Sequence, residues 1–394
     1  MPPGQFISND AYLFAAQSEE ITKHGKLPAR DMQRWLPNGR DNGQLLSLYA
    51  YVIAYTHKVI GWLFPKLTVY HIQLYAPALC FMIGLGAVFL FLERYYGVMF
   101  ACIVGVLLAT LPGSISRSIA GFSDRDAWCW MLGTLAVISY LWKERLPLGR
   151  QRWLTTALAG FIVFLGGLSW EAFGVFVLII VAIELWKFVT IDTEEHFKEY
   201  LFWLVMFVPW LYLISPVYPS GYGFSTHVTA LLLFPPLTVC AVRGIRHGLL
   251  KGIVSLRQHA QKLTWGLTLI ALMLGIGYFF FQAETFETTA FAFQESLLMK
   301  NISELEDPNF GFWTNWYGGV FALGSLGWIV ASFQFGWWKG LPMALSLSLF
   351  TVTTFFRDPM NIWVGEATCN TLFIVSLGLT VLSFAVASVL STVK

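Results

Sequence analysis

Apolar runs of about twenty residues recur along most of this chain, separated by short polar turns. That length matches the ~20 residues a helix needs to cross a hydrocarbon core of about 30 Å. The runs are continuous rather than alternating, which argues for helices over barrel strands. They predict spans at roughly 70–92, 97–113, 126–142, 153–168, 172–190, 199–214, 226–242, 264–281, 313–332, 338–356 and 366–390. The expected fold is an all-α polytopic membrane helix bundle of about 11 spans. Residues 1–44 are polar and mixed, and nothing in them spans. Residues 45–64 begin as an apolar run, but His57 and Lys58 interrupt it after about a dozen residues. That is short for a crossing, so the segment reads as an interfacial or re-entrant helix.

Composition agrees. Hydrophobic residues make up 56% and charged residues 12%, the latter roughly half the usual fraction. No signal peptide is expected, and no long low-complexity segment is present in the sequence. The net charge of +2 selects no class of partner, and no nucleic-acid partner is expected. Cys80, Cys102, Cys129, Cys240 and Cys369 lie in or beside apolar runs without a Cys-x-x-Cys pair, and read as packing residues.

The placement of charge sets the orientation. With the loops numbered alternately, one set holds most of the basic residues, nine of them in 143–152 and 243–263. That set is expected on the cytoplasmic side. The other set carries Arg117, Arg125, Lys300 and Arg357, together with Asp124, Asp126 and the acidic loop 282–312. If 45–64 does not cross, residues 1–69 share the exterior side. The organisation expected is a first external loop, 1–69; a bundle, 70–281, with an acidic motif at 116–126; an external loop, 282–312; and C-terminal spanning helices, 313–394.

The richest chemistry lies at Ser116-Arg117-Ser118-Ile119-Ala120-Gly121-Phe122-Ser123-Asp124-Arg125-Asp126, between two apolar runs. Ionisable groups at a membrane boundary are functional candidates by default. Asp124 and Asp126 can point different ways, one to a metal and one to a substrate group, and Arg117 can neutralise an anion such as phosphate. The plainer alternative is a solvated loop with an ion pair. Asp10 and Glu304 fall on the same expected side. Three carboxylates from three loops suit a hard divalent cation, Mg2+ or Mn2+. Taken singly, Asp10 reads as the cap of a helix beginning at AYLFAAQSEEI, and Glu304 as one of six acids in its loop.

These residues resemble the catalytic subunits of oligosaccharyltransferases, which attach lipid-linked glycans to asparagine. Arg117–Asp126 has the form of the second Asp-x-Asp/Glu motif of that family. Ser8-Asn9-Asp10-Ala11-Tyr12 looks like its first acidic motif, and Asn301-Ile302-Ser303-Glu304 resembles its short Ser/Thr motif ending in Glu. Ser169-Trp170-Glu171-Ala172-Phe173 sits where the family has a Trp-rich loop. The resemblance implies a GT-C-type bundle with its site facing the exterior or lumen. It implies that Asp10, Asp124 and Glu304 hold the metal, and that Asp10 and Glu304 also hydrogen-bond the acceptor amide. Asp126 and Arg117 would lie near the lipid-diphosphate sugar, and Arg357 stands where the family often has an Arg that reads the acceptor. Transfer would run from a polyprenyl diphosphate, dolichyl or undecaprenyl, to an Asn-x-Ser/Thr acceptor with inversion. Two departures stand out. Asp10 lies close to Met1, and Trp337-Trp338-Lys339 has Lys where the family's Trp-Trp-Asp motif has Asp, so it reads as an interfacial belt. The chain is expected to be a fragment or a homologue lacking both ends.

Three rivals stand beside this reading: a polyprenyl-phosphate-sugar transferase of another GT-C family, a secondary transporter with Asp124 and Glu304 as ion-coupling groups, and an inactive remnant. Transporters favour mid-membrane acids and internal repeats. Here the acids are in loops and no repeat is visible.

Overall fold

A computed structural model describes residues 5–34, 36–190, 196–219, 230–253, 259–260, 262–268, 270 and 309–392. These are helical almost throughout. The chain divides into two compact units. The first is Met1–Thr110 with Ser114–Trp186 and Thr193–His259; the second is Leu111–Gly113 with Lys187–Asp192 and Ala260–Lys394.

The first unit opens with α1 (Asn9–His24) and α2 (Leu48–Leu63), packed side by side, with a two-residue antiparallel ladder, Arg30–Asp31 on Arg40–Asp41, between them in sequence. α3 (Val69–Tyr96), α4 (Val98–Thr110), α5 (Pro112–Ser118), α6 (Asp126–Arg145), α7 (Arg150–Gly167), α8 (Gly174–Thr190), α9 (Phe197–Val205), α10 (Val208–Ile214) and α11 (Ala230–Gly252) follow. With α4–α5 and α9–α10 each taken as one passage, short links make successive passages from α3 onward run antiparallel, so alternate passages run the same way. On α3 and α6, Phe81 meets Trp130 at 4.9 Å and Phe91 meets Trp142 at 6.1 Å. On α7 and α9, Arg152 meets Glu199 near one end, and Gly160 meets Trp203 further on. The links 119–125 and 168–173 therefore share one end of this unit, and the 143–152 link lies at the other.

α2 begins and ends at the first of these ends. The Leu48 amide donates to Leu168 O at 3.3 Å where α2 starts. Beyond its C-terminus the chain enters α3, where Gly121 N donates to Leu74 O at 2.9 Å. α2 thus lies across the end of the helices. Its outward side carries Tyr55, Val59 and Trp62, all exposed.

Without a hydrophobic drive between helices in lipid, close packing needs small residues at the contacts. A Cβ on Gly160 would sit 2.8 Å from Trp203 O and 2.6 Å from Met206 Cβ, so only glycine lets α7 and α9 approach this closely. Around that contact Trp203 is fully buried, its ring 5.3 Å from Tyr140, 5.4 Å from Tyr200 and 4.9 Å from Phe207. At the 143–152 end lies a buried ionic network. Arg152 forks onto Glu199 at 2.6 and 2.9 Å, and Lys143 pairs with Glu144 at 2.7 Å. Arg243 pairs with Glu184, which also accepts from Tyr140 OH at 2.6 Å. Buried charges persist only when paired in this way.

The second unit holds α12 (Phe310–Ser332), α13 (Trp337–Phe355), α14 (Arg357–Val364) and α15 (Glu366–Thr392). α13 and α15 run antiparallel and share hydroxyl contacts, Ser346 with Ser383 at 3.2 Å and Thr353 with Ser376 at 3.4 Å. α14 turns 93° from α13. Trp337 and Trp338 begin α13 as exposed side chains.

Among the described residues, four helical stretches are long and apolar enough to cross a membrane: Val69–Tyr96, Phe197–Ile214, Phe310–Phe335 and Glu366–Phe384. The number rises to six if the bent pairs α4–α5 (65°) and α13–α14 each count as one. Helices occupy the other expected span positions, except that most of 264–281 lies outside the described residues. Several of them are shorter or carry charged ends, so length and apolarity alone support several spans rather than eleven.

Candidate active site

The end of the first unit that gathers 119–125 and 168–173 also receives the N-terminal segment, and one side chain organises the join. Gln73, a lone amide near the start of apolar α3, is fully buried. Its Nε2 donates to Ala11 O at 2.8 Å and to Ser123 O at 3.3 Å. Ser123 Oγ returns a bond to Gln73 O at 2.9 Å. Beside it, Ile7 N donates to Gly121 O at 2.8 Å. The first turn of α1, the start of α3 and the acidic link are thus woven together through backbone groups.

The link is bent to fit. Gly121 has φ 95° and Ser123 has φ 44°, a left-handed conformation that residues with a Cβ seldom adopt. Ser123 keeps it because its hydroxyl and carbonyl are both bonded to Gln73. The bend turns Asp124 inward, where it is 8% exposed. Asp124 Oδ1 accepts from Arg125 N at 2.6 Å, and Oδ2 has no hydrogen-bond partner among the described residues. Burial first, then the neighbouring Asp126 and, more weakly, Asp10, push the Asp124 carboxyl up to about 6, against the pull of the Arg125 N–H. Ionised Asp124 therefore gains from any nearby cation.

Asp10 lies in the first turn of α1 and is exposed. It is not the helix cap. Ser8 holds that position and makes no side-chain cap bond, which leaves the Asp10 carboxylate out of that role. Asp126 starts α6 and pairs with Arg117 at 2.8 Å, both about half exposed. Arg117 also lies 4.9 Å over the Phe122 ring. The structure thus brings Asp10, Asp124, Asp126 and Arg117 to one end of the first unit. Glu304 and its motif lie outside the described residues. Arg357 belongs to the second unit, where it donates to Asn370 Oδ1 at 2.6 Å.

The residues bear directly on a metal. Asp10 and Asp124 are hard oxygen donors, Asp10 adds to the cost of ionising Asp124, and Asp124 Oδ2 is available among the described residues; this chemistry suits Mg2+ or Mn2+. No set of three His, Cys, Asp or Glu side chains converges among the described residues, so with a metal bound these two would supply only part of a coordination shell.

Sequence reasoning passed over several residues. Gln73 carried a signal, an amide inside an apolar run. Arg125 was hidden as the spacer of Asp-x-Asp, yet its guanidinium reaches the 168–173 link, pairing with Glu171 at 3.0 Å. Trp128 Nε1 donates to Ser169 Oγ at 2.9 Å. Tyr49, almost wholly buried, stands 5.3 Å from Phe14 and 6.2 Å from Trp128. Its hydroxyl has no partner among the described residues.

Comparison with known proteins matches this arrangement to a family. The family model described as oligosaccharyl transferase STT3, N-terminal, matches residues 4–293. No curated protein matches the sequence. Among solved structures, an Archaeoglobus fulgidus oligosaccharyltransferase in complex with Zn and sulfate aligns with TM-score 0.61 at 16% identity. That alignment covers 99% of this chain and 46% of the other. The archaeal oligosaccharyltransferase AglB from the same organism, in complex with an inhibitory peptide and a dolichol-phosphate, aligns with TM-score 0.59 at 14% identity, covering 100% and 53%. A third A. fulgidus structure, tethered to an acceptor peptide containing the NVT sequon, gives 0.58 at 16%, covering 99% and 47%. At these identities the likeness is one of fold, and this chain spans about half the length of those proteins.

Proposed function

This chain belongs to the oligosaccharyl transferase STT3 family, and on that premise we propose that it works as a glycosyltransferase of protein N-glycosylation. It transfers an oligosaccharide from a polyprenyl diphosphate to the side-chain nitrogen of asparagine in an Asn-x-Ser/Thr acceptor. The observation that carries this reading is the inward-turned Asp124, held beside the first turn of α1 by Gln73. Two further facts support it: the solved relatives carry dolichol-phosphate in one case and an NVT acceptor peptide in another. The protein is read as integral to the membrane, with this end facing the exterior or lumen.

In this mechanism Asp10 and Asp124, with Glu304, would hold Mg2+ or Mn2+. When bound, such a cation offsets negative charge on the diphosphate. Asp10 and Glu304 accept hydrogen bonds from the acceptor amide and orient its nitrogen toward the anomeric carbon. Arg117, released from or shared with Asp126, meets the diphosphate as a planar cation. Arg357 binds substrate. The new C–N bond forms as the anomeric C–O bond breaks from the opposite face, so configuration inverts, the diphosphate departs with the electron pair, and the proton shed by the amide nitrogen passes to a carboxylate hydrogen-bonded to it, Asp10 or Glu304. Holding the reactants in one geometry is where most of the rate gain arises.

The test uses membranes of cells that make the protein, with a polyprenyl-diphosphate glycan, an Asn-x-Thr peptide and Mn2+. Glycopeptide should form, and Asp124→Ala should lower its rate by at least about a hundredfold, as expected when a preorganised electrostatic group is lost. Glycopeptide formation at an unchanged rate in Asp124→Ala overturns the reading.

A further inference from the structure

Arg125 makes contacts in four directions. Its main-chain N–H holds Asp124 Oδ1 at 2.6 Å, and its carbonyl accepts from Cys129 N at 2.8 Å at the start of α6. Its guanidinium pairs with Glu171 at 3.0 Å, donates to Ser169 O at 3.4 Å, and lies 5.9 Å over the Phe14 ring of α1. The side chain is 26% exposed. One residue therefore joins the acidic link, α6, the 168–173 link and the N-terminal helix.

The consequence concerns the aim of Asp124. A carboxylate held by the next residue's N–H takes its direction from the peptide plane between the two. That plane can rotate unless something anchors the following residue. The planar guanidinium fork supplies the anchor, because it meets a carboxylate and a carbonyl at once and cannot pivot freely about either. Trp128, one turn along, binds Ser169 Oγ and fixes the same link from α6.

We propose that Arg125 is a positioning residue, which sets the orientation of the Asp124 carboxylate by clamping the acidic link onto Glu171 and Ser169. This rests on the role given to Asp124 above. It assigns the Ser-Trp-Glu-Ala-Phe link to the active site without substrate contact: Glu171 acts through Arg125. It also predicts an order among variants. Arg125→Lys keeps the charge pair but loses the fork, Arg125→Met loses both, and Glu171→Gln keeps a hydrogen bond while losing the charge.

The experiment measures Mn2+ binding to the purified full chain by electron paramagnetic resonance, and kcat and KM for the peptide in membranes. Arg125→Met should weaken Mn2+ binding about tenfold and lower kcat by a similar factor, with KM for the peptide changed less than about twofold. Arg125→Lys and Glu171→Gln should fall between it and the wild type, and exchanging the pair, Arg125→Glu with Glu171→Arg, should not restore kcat, because the fork no longer starts beside Asp124. If Arg125→Met fails to fold, Arg125→Lys and Glu171→Gln decide the matter: both should weaken Mn2+ binding and lower kcat with KM little changed, and wild-type values in both overturn the role of Arg125. Asp124→Ala separates the two readings. If it loses Mn2+ binding and transfer while Arg125→Met and Arg125→Lys keep both, the role of Arg125 is wrong and that of Asp124 stands. If Asp124→Ala keeps both, the reading of Asp124 falls and this proposal falls with it.

Discussion

Replacing Gln73 by leucine tests how the two acidic segments are held together. The side chains are similar in volume, so packing changes little and the polar terms decide the outcome. Leucine removes the bonds from Nε2 to Ala11 O and Ser123 O, each worth about 1 kcal/mol net. It also leaves Ser123 O without that donor, at a desolvation cost of roughly 1–3 kcal/mol. On the other side, Gln73 Oε1 is itself buried without a partner among the described residues. Losing it returns about 1 kcal/mol. The balance is a local destabilisation of about 2–4 kcal/mol, or roughly a thirtyfold to several-hundredfold shift toward an undocked N-terminal segment at about 1.4 kcal/mol per decade. The assay is amide hydrogen exchange on the full chain in lipid nanodiscs. Peptides covering residues 5–20 and 119–126, which include the bonded amides of Ile7 and Gly121, should exchange faster by that factor. Peptides from α12 to α15 should not change. Equal protection of both N-terminal and acidic-link peptides in Gln73→Leu would refute the claim that this amide holds the site together.

Two further outcomes follow from charge. Asp124 has its carboxyl raised from 3.8 to about 6, so the folded chain binds that proton more tightly than the unfolded chain; the associated stability is fully present below about 3.8 and lost as pH rises through about 6. Asp124→Asn should therefore raise the melting temperature at pH 7 to 8 in chelator, with the gain vanishing near pH 4, and wild-type Mn2+ binding should weaken as pH falls through about 6; a pH-independent difference in melting contradicts the assignment. At the other end of the first unit, Glu199→Ala leaves Arg152 and Lys143 facing each other and should cost about 3–5 kcal/mol, read as a large drop in melting temperature, whereas Glu199→Ala with Arg152→Ala should recover part of it; equal losses would mean that the pair carries no coupling.

Helices and their approximate limits were legible in the sequence because each apolar run reports a local cost. A backbone buried in lipid must satisfy its own hydrogen bonds, and a helix does this within one segment. The acidic link was legible for a related reason: charges between two such runs are expensive and stand out. The sequence also marked Asp10 and Asp124 separately as candidates. The family resemblance implied that they face one metal, but nothing in the sequence marked what joins them. They are joined through Gln73, which lies far from Asp10 and Asp124 in sequence and bonds to backbone carbonyls, groups that every residue possesses. The same holds for Arg125, whose partners on the 168–173 link are a glutamate and a carbonyl distant in the chain. The Asp10 cap expected from the sequence failed because cap position depends on where the chain enters the helix, and tertiary bonds at Ile7 and Ala11 set that entry. Periodicity and charge thus determined which segments are helices and which links carry chemistry. The tertiary structure alone decided which links share an end and which way Asp124 turns, because those follow from steric fit and backbone bonds between residues far apart in the chain.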